Sequence, residues 1–442
     1  MAAATALHSK GGTKREKEEA RYNEWDDVVG TTGSAMLGLT VACARCHDHK
    51  YDPISAQDYY RLVAAVTTTV RVPAPPPPVS GQTPTFKPED RLGPPLGITD
   101  GSATPTTSYL LGRGDVEHKT AEVTFGFPAV LTPPGTGGAP DRWFKKPTGA
   151  KTTFQRTALA EWMTDAEHGA GHLLARVIVN RLWQHHFGEG IVRTPSDFGL
   201  QGERPTHPEL LDWLAAELIR AGWRLKPIHR LMMASAAYRQ DATFDEAKAK
   251  IDPENRLLWR RRPVRAGAEV LRDSILAASG KLDRTLHGPS IKPFIPPEAM
   301  AGRNKDGIDR PKADGPDQWR RSIYLFTKRS LLTPGLTAFD APSPTGSCAR
   351  RTVSTVAPQA LFLLNDPFVR RQATAFAERC LAEAKPDPES QVRYAYEVAL
   401  SREPSETELS AAVSFLGGAA DKASMTDLCH VLFGVNEFVY VD

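Results

Sequence analysis

Apolar positions recur along this chain mostly at intervals of three and four, the spacing that places them on one face of a helix. The stretch SAQDYYRLVAAV puts Tyr59, Leu62, Val63 and Val66 on one such face, in a helix opening near Gln57 after the turn at Asp52-Pro53. TFQRTALAEWMTD and HLLARVIVNRLWQHHFGEG predict two further helices, the second stopped by Gly188 and Gly190. PTHPELLDWLAAELIRAGW carries Leu210, Leu211, Leu214 and Leu218, starts with Pro208 in its first turn and ends at Gly222. LKPIHRLMMASAAYRQ predicts an antiparallel neighbour for it. SETELSAAVSFLGG offers a capping box from Ser405 to Glu408 and a glycine stop at Gly417. Only RRSIYLFTKR, rich in β-branched and aromatic residues, reads as a strand. The expected fold is mainly α, a multi-helix domain with few short strands, preceded by a small helical fragment and a Pro-rich linker.

Between these regions VPAPPPPVSGQTPTFKPEDRLGPPLGITDGSATPTT has almost no periodicity and is dense in Pro, Gly and Thr. It predicts an extended linker over 67–107, separating an N-terminal segment, 1–66, from a helical domain, 108–442. There is no internal repeat.

Composition narrows the function. The 442 residues hold 55 Lys plus Arg against 52 Asp plus Glu, a formal charge of +3, which gives no reason to expect nucleic acid as partner. No apolar run is long enough to span a membrane, and the N-terminal residues lack the apolar core of a secretory signal, so the chain as written reads as cytoplasmic. Five cysteines do not suggest a disulfide framework; Cys348, Cys380 and Cys429 read as small buried or half-buried residues.

Cys43-Ala44-Arg45-Cys46-His47 is C-x-x-C-H, the c-type haem attachment pattern. Two thiols at this spacing add to adjacent porphyrin vinyl groups, and the adjoining imidazole then ligates iron. The alternatives are zinc held by Cys43, Cys46, His47 and His49, against which adjacent Cys46 and His47 strain a tetrahedral site, and a redox dithiol. Haem leads, with His47 as metal ligand. Candidates for a second axial ligand are Met36, His49, His185, His186 and the pair Met232-Met233. Elsewhere Arg176, Asn180 and Gln184 follow one another at four-residue spacing, beside Arg181 and His185. With Asp340, Arg350 and Arg351 they offer a possible polar groove for a carbohydrate, or else a structural ion-pair network. No nucleophile elbow, H-E-x-x-H, phosphate loop or dinucleotide fingerprint occurs, Arg113-Gly114-Asp115 reads as a turn, and a hydrolase would need Asp197, Glu209 or Asp340 paired across a cleft.

TTGSAMLGLTVACARCHDHKYDPISAQDYYRL resembles the C-terminal end of the DUF1549 domain. ARVIVNRLWQHHFGEGIVRTPSDFGLQGERPTHPELLDWLA, NRLLWRRRPVRAGAEVLRDSILAASG, RRTVSTVAPQALFLLNDPFV and the final NEFVYVD resemble DUF1553. The two domains occur in tandem in a planctomycete-specific family, whose members often carry a cytochrome c domain upstream. The resemblance implies exported, envelope-associated or periplasmic proteins that couple haem redox chemistry to polysaccharide metabolism, with carbohydrate and redox proteins as partners. Cys43, Cys46 and His47 match the family's own C-x-x-C-H, which implies haem c there. The alternative is a carbohydrate-binding or scaffolding module without haem. Only about the last sixty residues of the first domain are present, so the chain reads as a fragment; haem c stays the expected cofactor, and its attachment needs an exported compartment that the chain as written carries no signal to reach.

Overall fold

The computed structural model describes residues 12–73, 96–297, 311, 313–328, 331–344, 346–417 and 421–441. Among the described residues about half are helical, in 16 α-helices, with a few short two-stranded sheets, so the mainly α expectation holds. The chain divides into two compact units, Met1–Arg262 and Pro263–Asp442.

In the first unit, α1 (Lys14–Thr32) is opened by a capping box between Thr13 and Glu16. It runs into a single π-helical turn, Gly33–Leu37, which Gly38 ends in the left-handed region. A 3-10 turn, Val41–Arg45, follows. Then α2 (Ala56–Ala64) is capped by Ser55 and Asp58 reciprocally, and the predicted apolar face of Tyr59, Leu62, Val63 and Val66 is buried. Of the predicted linker, residues 74–95 lie outside the described residues. Its ends are strands, β1 (Thr69–Pro73) and β2 (Leu96–Asp100), paired antiparallel with Thr69 opposite Asp100. A second hairpin joins β3 (Ser108–Leu111) to β4 (Lys119–Val123), and Arg113-Gly114-Asp115 lies in its turn.

α3 (Gln155–Thr164), α4 (Gly171–Phe187) and α5 (Pro208–Arg220) match the expected helices, with Gly188 as the cap of α4. The helix expected over 225–240 is interrupted. α6 (Leu225–Ala234) ends at Ser235, whose extended backbone and side chain instead cap a separate turn, α7 (Ala236–Arg239). Two cores result. One joins Trp25 and Val29 of α1 and Tyr59, Tyr60 and Val63 of α2 to Phe127, Trp143 and Trp162, with Phe127 stacked on Trp162 at 4.7 Å. The other is built from Val179 and Trp183 of α4, Leu214 and Leu218 of α5, and Ile228 and Met232 of α6. Burying each such large side chain contributes roughly 2 kcal/mol.

The second unit contains α9 (Ala268–Ala278), α10 (Pro334–Ala338), α11 (Ala357–Asn365), α12 (Pro367–Glu383), α13 (Pro388–Leu400), α14 (Glu406–Leu416), α15 (Lys422–Gly434) and α16 (Asn436–Val439). α8 (Glu246–Ile251) belongs to the first unit. α12 packs along α15, with Phe376 stacked on Phe433 at 5.7 Å. The Ser405–Glu408 capping box and the left-handed Gly417 stop of α14 are both present. Two sequence expectations fail here. RRSIYLFTKR is not a strand: Ser322–Tyr324 is a 3-10 turn, because Ser322 N and Oγ donate to Asp273 of α9 (2.8 and 2.7 Å) rather than to a neighbouring strand. Its Arg329 lies outside the described residues. Cys380 and Cys429 are buried as expected, burial pushing the Cys429 thiol up, but Cys348 is exposed.

Candidate functional site

The C-x-x-C-H segment is the 3-10 turn Val41–Arg45, with Cys46 as its C-cap still in the right-handed helical region. Residues three apart eclipse one another in a 3-10 turn. Val41 and Ala44 are therefore both buried, and Cys43 and Cys46, also three apart, are both exposed on the other side. The buried edge is pinned by two phenols. Tyr60 Oη donates to the Arg45 carbonyl (2.8 Å), and Tyr59 Oη donates to Asp26 (2.6 Å). Burial pushes both phenol pKa values up, so they stay donors. Asp26 in turn meets the Arg45 guanidinium at 3.4 Å.

The hairpin turn between β3 and β4 lies against the second thiol. Gly114 has φ +75°, and a Cβ there would sit 2.8 Å from Cys46 Sγ. Only glycine both tolerates that backbone and leaves room for the sulfur. Periodicity reads this stretch as a turn and gives no sign that it faces the cysteines; the run Gly112-Arg113-Gly114 is the only local signal.

The two histidines of the segment have opposite fates. His47 is exposed, and its Nδ1 lies 2.7 Å from the Asp48 carbonyl, an atom that can only accept. In the neutral imidazole this contact puts the proton on Nδ1 and leaves Nε2 as the open nitrogen, the tautomer a metal ligand requires. His49 is buried with both nitrogens engaged: Nδ1 accepts from Asp52 N (2.8 Å), and Nε2 lies 2.9 Å from Thr40 Oγ1. Asp52 also accepts from Leu200 N at 2.8 Å. His49 thus fastens the loop and does not converge with Cys43, Cys46 and His47. Among the described residues no group of three or more His, Cys, Asp or Glu is arranged to hold a metal ion.

The other candidate axial ligands separate by burial. Met232 is buried in the core, His186 is paired with His229 (2.8 Å), and His185 and Met233 are exposed on α4 and α6. Met36 is 45% exposed on the π-turn that packs against the cysteine turn. π-Turns recur at functional sites, since the extra residue in the turn redirects side chains.

The residues expected to line a polar groove fall in different surroundings. Asn180 is fully buried and clamps the Val192 backbone, donating to its carbonyl (2.9 Å) and accepting from its N–H (2.7 Å). Gln184 is also buried, and Arg176 pairs with Asp212 at 2.6 Å. Arg181 reaches the Ser34 and Pro195 carbonyls, and burial lowers its pKa. These belong to the first unit. In the second, Asp340 meets Arg265 (2.6 Å) and accepts from Ser354 N (2.8 Å), Arg351 pairs with Glu269, and Arg350 is exposed. Asp197 is taken up in its own loop, accepting from Gly199 N. The second unit also carries an apolar cleft, open to solvent, with a cavity of about 130 Å³, lined by Leu271, Phe294, Leu336, Phe362 and Phe368 together with Asp366. Burial raises the Asp366 pKa.

No helix among the described residues is long and apolar enough to cross a membrane. Comparison with known families gives two matches. A model described as PSD1, protein of unknown function (DUF1553), matches residues 155–416, and one described as PSCyt2, protein of unknown function (DUF1549), matches residues 2–71. No curated protein and no solved structure matches the chain.

Proposed function

The chain belongs to the DUF1553 family, and we propose that its Cys43–His47 turn is a c-type haem attachment site serving electron transfer. The observation that carries this reading is the state of the three side chains. Both thiols are free and lie on the exposed edge of one 3-10 turn, and His47 is held by Asp48 in the tautomer that leaves Nε2 open. The fit is supported by Gly114, whose missing Cβ leaves the space beside Cys46 Sγ. Cys43 and Cys46 would hold the porphyrin through thioethers, His47 would ligate iron, and Met36 is the candidate second ligand on a packed neighbouring element. When bound, haem supplies a one-electron couple. The residues of the chain contribute position: Tyr60 and Asp26 hold the turn, and Asp48 fixes the imidazole.

On this reading the working protein acts in the periplasm or envelope, with redox proteins as partners; the link to polysaccharide metabolism rests on the family resemblance alone. The test is expression with an export signal in a host carrying haem-attachment machinery, followed by a haem stain on a denaturing gel and a pyridine haemochrome spectrum. One covalent haem per chain is expected, lost in the Cys43→Ala, Cys46→Ala double variant. His47→Ala should keep the stain and lose the low-spin spectrum. A colourless product whose Cys43 and Cys46 both react with a thiol reagent overturns the reading.

A further inference from the structure

The end of α4, the loop after it, the start of α5 and residues 255–262 line a second site in the first unit, a shallow cleft open to solvent. Its lining is one-signed: Arg193, Arg256, Arg260, Arg261 and Arg262 against a single acid, Glu189. Carboxylates compensate part of this charge. Arg193 pairs with Glu189 (3.0 Å) and Glu254 (2.7 Å), Arg262 reaches Glu189 at 3.3 Å, and Arg256 meets Glu203 at 3.8 Å.

Arg260 and Arg261 have no carboxylate partner among the described residues. Arg260 lies over Phe244 and Trp259 and donates to the Ala242 carbonyl (3.2 Å), and its buried Nε has no hydrogen-bond partner. Arg261 lies over Tyr238, its Cζ 4.2 Å from the ring centroid, and donates to that residue's carbonyl. Both guanidinium groups thus lie against aromatic rings without a carboxylate partner, which leaves their forks to an anion in the cleft. His186 lines the same cleft beside His229, and burial first, then His229, His185 and Arg261, keeps its imidazole in the neutral form. Trp183 and Phe187, stacked at 4.0 Å, form an apolar wall, and Thr206 and His207 add a hydroxyl and a second imidazole at the opening of α5.

We propose that this cleft binds a small organic molecule bearing a phosphate or sulfate group, with Arg260 and Arg261 taking the oxyanion and Trp183 and Phe187 facing the organic body. The argument is independent of haem at the cysteine turn. Guanidinium forks match oxyanions in two-point contacts, and the aromatic wall gives the rest of the ligand an apolar surface that free phosphate cannot use.

The test is titration calorimetry on the full chain at physiological ionic strength, with glucose 6-phosphate, inorganic phosphate and glucose as probes. Expected are binding of glucose 6-phosphate, weaker binding of inorganic phosphate competing for the same site, and no binding of glucose. Arg261→Met should weaken glucose 6-phosphate about tenfold, the usual weight of a charge-assisted hydrogen bond. Because a variant can lose its fold, thermal unfolding of the unaltered chain is measured in parallel, and glucose 6-phosphate should raise its midpoint more than an equal ionic strength of chloride does. Failure of both anions to bind, or unchanged affinity in a folded Arg260→Met, Arg261→Met double variant, overturns the proposal. Equal affinity for the two anions overturns its organic part.

Discussion

The cysteine turn of the first unit and the Asp340 cluster of the second are both knots of polar side chains, and they spend their polar atoms differently. Around Asp340 both carboxylate oxygens are engaged. The carboxylate accepts from Ser354 N (2.8 Å), Ser354 Oγ and Arg265, and Gln359 lies close enough to add a fourth contact. The Ser354 backbone donor above all, with the Ser354 hydroxyl and the Arg265 charge, holds that carboxyl below the usual range. Around Cys43 the contacts of Tyr60, Tyr59, Asp26 and Asp48 go to the Arg45 carbonyl, to one another, and to the Arg45 and His47 side chains, while Cys43, Cys46 and His47 stay exposed and both thiols free, Cys46 Sγ beside Gly114. A cluster that stabilises closes on itself. One that acts on something else keeps a few atoms open while their neighbours hold them still.

That contrast is sharpest under mutation. Asp340→Ala leaves Arg265, 3% exposed, without its counter-charge, and should cost about 3 kcal/mol in urea unfolding. Because the folded pKa of Asp340 is depressed, its contribution is present above the ordinary aspartate range and is lost as pH falls through the lower folded value. The gap between wild type and variant should therefore narrow in acid. A gap below about 1 kcal/mol at neutral pH would reduce the cluster to surface decoration. Tyr60→Phe removes one donor from the Arg45 carbonyl and should cost about 1 kcal/mol. It should also speed the reaction of Cys46 with a thiol reagent, and unchanged kinetics would show that the turn does not depend on that bond. Smallest is the effect of Cys43→Ala with Cys46→Ala: exposed atoms that nothing else uses should change stability by less than about 0.5 kcal/mol in the same urea experiment.

Much of this architecture is local chemistry and was legible as such. The Ser55 and Ser405 caps, the apolar faces of α2 and α5, and the glycine stops follow from residues within one or two turns of each other. So does the pairing of Cys43 with Cys46, since their spacing of three is the 3-10 repeat. What the sequence hid depends on partners far along the chain. RRSIYLFTKR has strand chemistry, but Asp273 and Arg272, about fifty residues earlier, claim its backbone and Ser322. Gly114 comes to Cys46 from across a hairpin and His49 is spent on Thr40 and Asp52, while Asn180, which looks like a groove residue by helical spacing, is drawn to Val192. The basic run 256–262 is legible as charge, and its meeting with His186 and Trp183 is not.

The core that holds α1 and α2 also contains Ala158 and Trp162, and Phe198 N, Leu200 N and Arg181 bond to Gly38, Asp52 and Ser34. The DUF1549 match ends at residue 71, the DUF1553 match begins at 155, and the boundary between compact units lies at 262, inside the second match. The segments by which evolution labels this protein are thus not the pieces in which it coheres. A gene trimmed at the edge of the recognisable family would carry one wall of a hydrophobic room and leave the other behind.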